Sequence, residues 1–233
     1  MTQALEKTEI ITIFSKGLVG AIPFIGPLAS EIIGATIPNQ RLERIELFLK
    51  KLESKIDKTE YEKVKVKAKE PESIDLFEDS LIQASRALSE ERKEYIASLL
   101  KNSLTDEELE HIEYKRLLNI LSELNDLEIL ILKSKEYMYC DDDNKAKEFW
   151  KKHGEALKEP IIYDGMTSSE ELNKATLFKT HKSHLVNLGL LKAQFKIPNS
   201  GEPPEFDKET GMIKASGYYS SDLGSLLLEK IGI

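Results

Sequence analysis

The sequence has one cysteine, few aromatic residues and no long uninterrupted hydrophobic run. The single thiol, Cys140, excludes an internal disulfide framework and a zinc site built from several cysteines, and it is typical of a reducing compartment. The charge-free run from Gly17 to Ser30 is shorter than the ~20 residues of a membrane span, and Pro23 and Pro27 interrupt it. No basic region precedes the first apolar stretch, so we expect no signal peptide. We therefore predict a cytoplasmic protein.

The sequence also lacks the short motifs of well-known enzyme classes, such as G-x-S-x-G, the P-loop, H-E-x-x-H and G-x-G-x-x-G. The acidic run 141–144 does not continue as a calcium loop, because Ala146 and Lys152 stand where Gly and Glu are needed. His181 and His184 have the spacing of metal ligands, but no carboxylate or thiol lies near them in the sequence. We expect a non-enzymatic protein with no catalytic residue, no metal and no cofactor.

The chain has 233 residues, of which 40% are hydrophobic and 32% charged, enough for one large domain or two small ones. With 33 Lys and Arg against 41 Asp and Glu, the net charge of −8 excludes a uniformly basic surface that wraps nucleic acid. A local basic face remains compatible with it. The apolar spacing predicts a mainly α fold, in which an N-terminal helical hairpin and helical bundle precede a winged helix-turn-helix with a small two-stranded β wing.

We predict three regions. Residues 1–72 form an apolar helical hairpin and a short coiled-coil helix, residues 73–138 form a helical middle region, and residues 139–233 form a winged helix whose first helix is borrowed from about 115–138. Within them, Ser89 is expected to cap a helix, and Thr105 and Glu108 are expected to form a capping box. The charged run Lys58–Glu70 is interpreted as a fraying helix end or a linker.

The N-terminal segment is unusually apolar, since only Lys16 and Glu31 are charged between Ile10 and Gln40. Three small residues recur every four positions and would allow close approach of another backbone: Gly26, Ser30 and Gly34. The segment resembles the membrane-active helical hairpins of cell-death proteins. Three interpretations stay open, namely a hairpin packed on the middle region, a contact between protomers, and a segment that enters or lies on a membrane.

A short coiled-coil seam follows this segment. Apolar residues alternate at spacings of three and four, with charged residues between them, at Leu42, Ile45, Leu49 and Leu52. Such a seam pairs with another helix, either within the chain or in a second copy. We expect a homo-oligomer, in which this seam or the small-residue stripe is a candidate contact.

The C-terminal region has the order helix, helix, helix, strand, loop, strand, helix. Alternating residues predict strands at Leu190–Ile197 and Met212–Tyr219, separated by a loop rich in Pro, Gly and acidic residues. A helix that begins at Thr167 and Ser168 is expected to end at Gly189, which tolerates a positive φ.

Two segments of this region carry a family resemblance. The sequence FKTHKSHLVNLGLL at 178–191 resembles the H-L-x-x-L-G-L joint between recognition helix and wing in MarR-like and related bacterial winged-helix proteins. The sequence YSSDLGSLL at 219–227 resembles the T-x-x-G-x-x-L start of the helix after their wing. The resemblance covers about half the chain and implies a winged-helix fold.

The middle of the chain carries a second resemblance. The segments around 76–81, 87–100 and 117–126 are similar to a class of uncharacterised bacterial and prophage helical proteins. This implies a prokaryotic or phage origin and a role in phage defence or prophage maintenance, and it implies no active site.

The predicted recognition helix carries the candidate DNA-binding residues. Thr176, Thr180, Ser183 and Asn187 share one face, and no Asp or Glu occurs between Leu172 and Gly201. Short polar side chains read base edges, and lysines neutralise phosphates. The opposite face should pack in the core through Leu172, Ala175, Phe178, Leu185 and Leu188. The candidates are Lys174, Thr176, Lys179, Thr180, Lys182, Ser183, Asn187 and Lys192.

Two features of the sequence favour a winged helix that docks on a protein, dimerises or has a purely structural role, instead of one that contacts DNA. The helix has no arginine, the residue that most often contacts guanine, and acidic residues that phosphates would repel occupy the wing loop: Glu202, Glu205, Asp207 and Glu209. We predict a winged-helix binding protein that acts on double-stranded DNA as a regulator. The alternative is a phage-defence-like effector that docks on a partner protein, or associates peripherally with a membrane, through the N-terminal hairpin.

Overall fold

A computed structural model describes residues 41–137, 143–160, 168–197, 203–206 and 211–233. Within these ranges the chain is mainly helical, with one two-stranded antiparallel sheet near its C-terminus, which confirms the predicted fold class. The described residues form two compact units, one of 41–123 with 230–233 and one of 124–229. These units divide the described chain at Glu123, whereas the predicted regions divide it near residues 72 and 138.

The first unit is a helical bundle. Its elements are α1 (Leu42–Lys55), a 3-10 turn (Lys58–Glu60), α2 (Tyr61–Lys67), α3 (Pro71–Arg86), α4 (Glu90–Thr105) and α5 (His111–Glu123). The helix α1 packs on α4 and α3 within the unit, which is why 41–72 and 73–123 fold together.

The coiled-coil seam lies inside this bundle. Ile45, Leu49 and Leu52 are at most 1% exposed, so their partner is within the chain and they are not available to a second copy. The prediction that these three residues contact another protomer or a membrane is therefore wrong, because they belong to the core of the bundle. Leu42 begins α1, and the stripe 26–34 lies outside the described residues.

Two local expectations in the first unit are wrong. Lys58–Lys67 is helical and not a linker, because Val64 is fully buried and Lys63 pairs with Glu107 at 2.7 Å. Thr105 does not cap α5, since it is the last residue of α4 and its hydroxyl donates to the carbonyl of Lys101. The helix α5 begins only at His111.

The second unit has the predicted order of elements. It contains α6 (Asp126–Glu136), α7 (Asp143–Leu157), α8 (Ser169–Asn187), β1 (Leu191–Phe195), β2 (Ala215–Ser220) and α9 (Asp222–Lys230), of which Lys230 is counted with the first unit. The strands pair from Leu191 opposite Ser220 to Phe195 opposite Ala215, with a bulge after Gln194. The helix α8 packs on α6 and β1.

Local sequence explains where α8 and α9 begin and end. Ser168 and Glu171 form a capping box at the start of α8. Gly189 has φ 75° just beyond the end of α8, a conformation that glycine adopts without strain. Ser221 accepts a hydrogen bond from the amide of Gly224 at 3.0 Å and so caps α9.

Candidate nucleic-acid interface

The long helix α8 presents two different faces. Ala175, Phe178 and Leu185 are buried against the unit's core. On the opposite side, the four predicted polar residues are all exposed and form one stripe, which we call the α8 stripe: Thr176, Thr180, Ser183 and Asn187. The structure therefore brings together the short polar side chains that the spacing placed on one face.

One residue assigned to the core of α8 is misplaced. Leu172 is 48% exposed, because it lies four positions before Thr176 and therefore extends the α8 stripe toward the helix start. Leu188 follows the last residue of α8 and is half-buried.

The threonine hydroxyls of the stripe are oriented by the helix itself. Thr176 donates to the carbonyl of Leu172 at 2.9 Å, and Thr180 donates to the carbonyl of Thr176 at 3.0 Å. Each hydroxyl proton is therefore already donated to a backbone carbonyl. The hydroxyl oxygen can still accept a hydrogen bond, and the orientation of the methyl group is fixed. A thymine methyl or an amino group on a base edge would suit such a surface.

The candidate lysines are present but paired with carboxylates. Lys174 lies 2.7 Å from Glu170, and Lys192 lies 3.3 Å from Asp222. Both pairs are exposed, and exposed ion pairs contribute only about 0–1 kcal/mol, so a phosphate group can replace either carboxylate. Lys179 is exposed beside the stripe.

Lys182 differs from the other candidate lysines. Its side chain is 17% exposed and lies 2.5 Å from Glu159, with Nζ 5.3 Å from the Phe178 ring centre and 5.8 Å from that of Tyr218. It therefore joins α8 to β2, and its role is in packing more than in contact with a ligand.

Further exposed lysines lie on α7, which the sequence analysis did not single out. Lys147, Lys151 and Lys152 are exposed there, together with Glu148, Glu155 and Trp150, which is 42% exposed. These lysines are on the helix that precedes α8 in the chain.

The described residues beyond the paired part of the β hairpin include several exposed apolar side chains. Phe195, Ile197, Phe206, Met212 and Ile213 are all about half exposed or more. Lys214 pairs with Glu205 at 2.5 Å, and Lys196 is also exposed. Since apolar side chains cannot bind phosphate, these five residues are not part of the candidate interface.

A buried carboxylate beside α8 was also missed. The side chain of Glu128 is 4% exposed, and its Oε1 lies 2.9 Å from Nδ1 of His184 and 3.1 Å from Nδ1 of His181. Burial acts to raise the pKa of Glu128, but the amide of Asn125 and the two imidazoles outweigh it and lower that pKa below its ordinary value. No sequence pattern indicates this contact, because Glu128 precedes the histidines by more than fifty residues.

Neither a metal centre nor a membrane span is found in the described parts of the chain. Within them, no group of three or more His, Cys, Asp or Glu side chains is placed to hold a metal ion. In the same ranges, no helix has both the length and the apolar character needed to cross a membrane. The apolar segment 10–37 lies outside these ranges.

No family model, curated protein or solved structure matches this chain. The resemblance to MarR-like proteins therefore stays a prediction.

Proposed function

We propose that the second unit binds double-stranded DNA in a non-enzymatic, regulatory role, with α8 as the recognition helix. The observation that carries the proposal is the α8 stripe, because its four short polar side chains are exposed along one side of a helix whose other side is anchored in the core. A rigid helix of this kind fits the major groove, where such side chains reach base edges.

Charge supports the same surface. Lys174 and Lys179 flank the stripe, and α7 adds Lys147, Lys151 and Lys152 on the element that precedes α8. Glu170, the carboxylate partner of Lys174, is a weak competitor for a polyanion, because phosphate contacts gain free energy from counterion release. We therefore expect binding that weakens steeply as salt increases.

The test is a fluorescence-anisotropy titration of a labelled mixed-sequence duplex of about 20 base pairs, at several salt concentrations. The variant is the double substitution Lys174→Gln with Lys179→Gln. Its matched control is Lys50→Gln with Lys65→Gln in the first unit, since Lys50 and Lys65 are also exposed lysines and pair within their helices with Glu46 and Glu62.

We expect wild type and control to bind with the same slope of log affinity against log salt. The α8 variant should bind more weakly, with a slope reduced by about 0.9 for each lost phosphate contact. Wild-type protein that binds no duplex at low salt, or an α8 variant indistinguishable from the control, would contradict the proposal.

A further inference from the structure

The contact between Glu128 and the two histidines of α8 has a defined hydrogen-bond pattern. Glu128 is the third residue of α6, and its Oε2 accepts from the amide of Asn125 at 2.8 Å in a capping box. Its Oε1 is left to accept from the imidazoles of His181 and His184. One carboxylate therefore fixes the start of α6 and two side chains of α8.

This pattern determines which imidazole nitrogen carries hydrogen. The lowered pKa of Glu128 means that it is ionised and can only accept. A close contact with Oε1 then requires hydrogen on Nδ1 of both rings. The side-chain nitrogen of Asn125 lies 3.2 Å from Nδ1 of His181, but a protonated Nδ1 cannot accept from it. The nitrogen free to take up a proton is therefore Nε2 in each ring.

The two histidines differ in their position relative to the α8 stripe. His184 lies four residues after Thr180 and three before Asn187, so it borders the stripe, and its side chain is 34% exposed. His181 is less exposed, at 22%, and lies further around the helix toward α6. Only His184 is placed to reach a ligand on the stripe.

We infer that His184 is a further residue of the DNA interface, which contacts phosphate when its Nε2 is protonated, and that Glu128 is the residue that positions it. This inference rests on the proposed function. A protonated imidazole carries the positive charge that a phosphate binds, so DNA affinity is expected to rise as the pH falls. Glu128 holds the ring through Nδ1 and does not itself reach the ligand.

Few other charged groups face these rings. Among the charged residues of α6, Asp126 lies with Glu128 in the first turn, and Lys133 lies over the Tyr137 ring. Lys135 interacts with Lys182 and Glu159, and Glu136 accepts from Ser225. The charged residue of β1 is Lys192, which pairs with Asp222. The local charge balance around His184 is thus set mainly by Glu128.

The experiment measures the affinity for the same labelled duplex between about pH 5.5 and pH 8 at constant ionic strength. The variant is His184→Gln, and the control is His111→Gln, which removes a partly exposed imidazole from the first unit, where it faces Asp75. Wild type and control should bind more tightly at the acidic end, with a salt slope steeper by about 0.9. His184→Gln should lose this pH dependence while it still binds at pH 8.

A second measurement separates the two proposals. Long-range 15N NMR of the histidine rings near pH 8 should show hydrogen on Nδ1 of His184 in the free protein and a loss of that preference in Glu128→Gln. If wild type binds no duplex at any pH, both proposals fail, whatever the tautomer. If wild type binds but His184→Gln keeps the wild-type pH dependence, or if His184 carries hydrogen on Nε2, this inference alone is overturned.

Discussion

At the residue scale, the strongest electrostatic feature of the first unit is a nearly buried lysine close to the C-terminus. The Lys230 side chain is 5% exposed and lies 2.6 Å from Asp106 and 3.2 Å from Glu108. Asp106 also accepts from the hydroxyl of Tyr114 at 2.8 Å and from the amide of Glu108. Such a pair is costly to break, because the remaining charge would stay buried without a partner.

Asp106→Asn should therefore lower the free energy of unfolding by about 3–5 kcal/mol. Glu108→Gln is the matched control: Glu108 contacts the same ammonium group but is 76% exposed, so its loss should cost less than about 1 kcal/mol. Urea denaturation followed by circular dichroism measures both values. Equal effects of the two substitutions would show that Asp106 is not the main partner of Lys230.

The contribution of Asp106 should also depend on pH. Burial acts to raise its pKa, but Lys230, the Glu108 amide and the Tyr114 hydroxyl together hold the pKa well below the ordinary 3.8. Because the folded-state pKa is depressed, the stabilisation is present above about pH 4 and is lost as the pH falls further. The difference in unfolding free energy between wild type and Asp106→Asn should shrink on acidification below that point, and a constant difference would contradict this.

At the element scale, Gly224 allows α9 to approach its neighbours more closely than a residue with a Cβ atom would permit. A Cβ atom at Gly224 would collide with the carbonyl oxygen of Leu190 and would lie 2.9 Å from Oγ of Ser220 and 3.1 Å from Cδ1 of Leu132. In α7, by contrast, a Cβ at Gly154 would meet only Trp150, at 3.9 Å. Both glycines are helical, so they differ only in the space around them.

Gly224→Ala should destabilise the second unit by roughly 1–3 kcal/mol, because the collision with backbone outweighs the better helix propensity of alanine. Gly154→Ala should stabilise it by about 0.5–1 kcal/mol, since there the propensity acts alone. Thermal denaturation of the two variants shows whether each substitution raises or lowers the stability of the protein. A stabilising Gly224→Ala would mean that α9 does not pack this closely on β1 and α6.

Sequence patterns predicted the helices and strands of the second unit better than the contacts between them. The start of α8 near Ser168, its end at Gly189 and the two strands are encoded locally and were predicted, although the second strand begins three residues later than predicted. Leu172 was misplaced because hydrophobicity was given more weight than its spacing from Thr176. The role of Glu128 depends on how α6 packs on α8, which a single sequence does not specify.

At the scale of the whole molecule, the chain leaves the first unit after Glu123 and re-enters it at Lys230. Ile231 is fully buried, and Gly232 has φ 82° where a Cβ would lie 2.8 Å from Oγ of Ser98. Asn102 also donates to the carbonyl of Lys230 at 2.9 Å. The boundary of this unit could not be read from charge or composition, because its last part is a few residues at the opposite end of the chain.

Ile231→Ala should therefore destabilise the first unit by about 2–5 kcal/mol, as expected for a large-to-small change in a core. Ile197→Ala is the control, because Ile197 is 89% exposed on the hairpin and its truncation should change stability by less than about 0.5 kcal/mol. Hydrogen exchange of the amides of α4 and α5 reports the stability of this unit directly. Unchanged exchange there in Ile231→Ala would show that these last residues do not belong to its core.

Whether the α8 stripe faces DNA is tested by a 1H–15N NMR titration of the protein with an unlabelled duplex. We predict chemical-shift changes concentrated in residues 174–187 and in the exposed lysines of α7, with the amides of α1 to α5 unchanged. The account is contradicted if no resonance shifts at low salt, or if the shifts lie in the first unit while those of Thr176, Thr180, Ser183 and Asn187 stay in place.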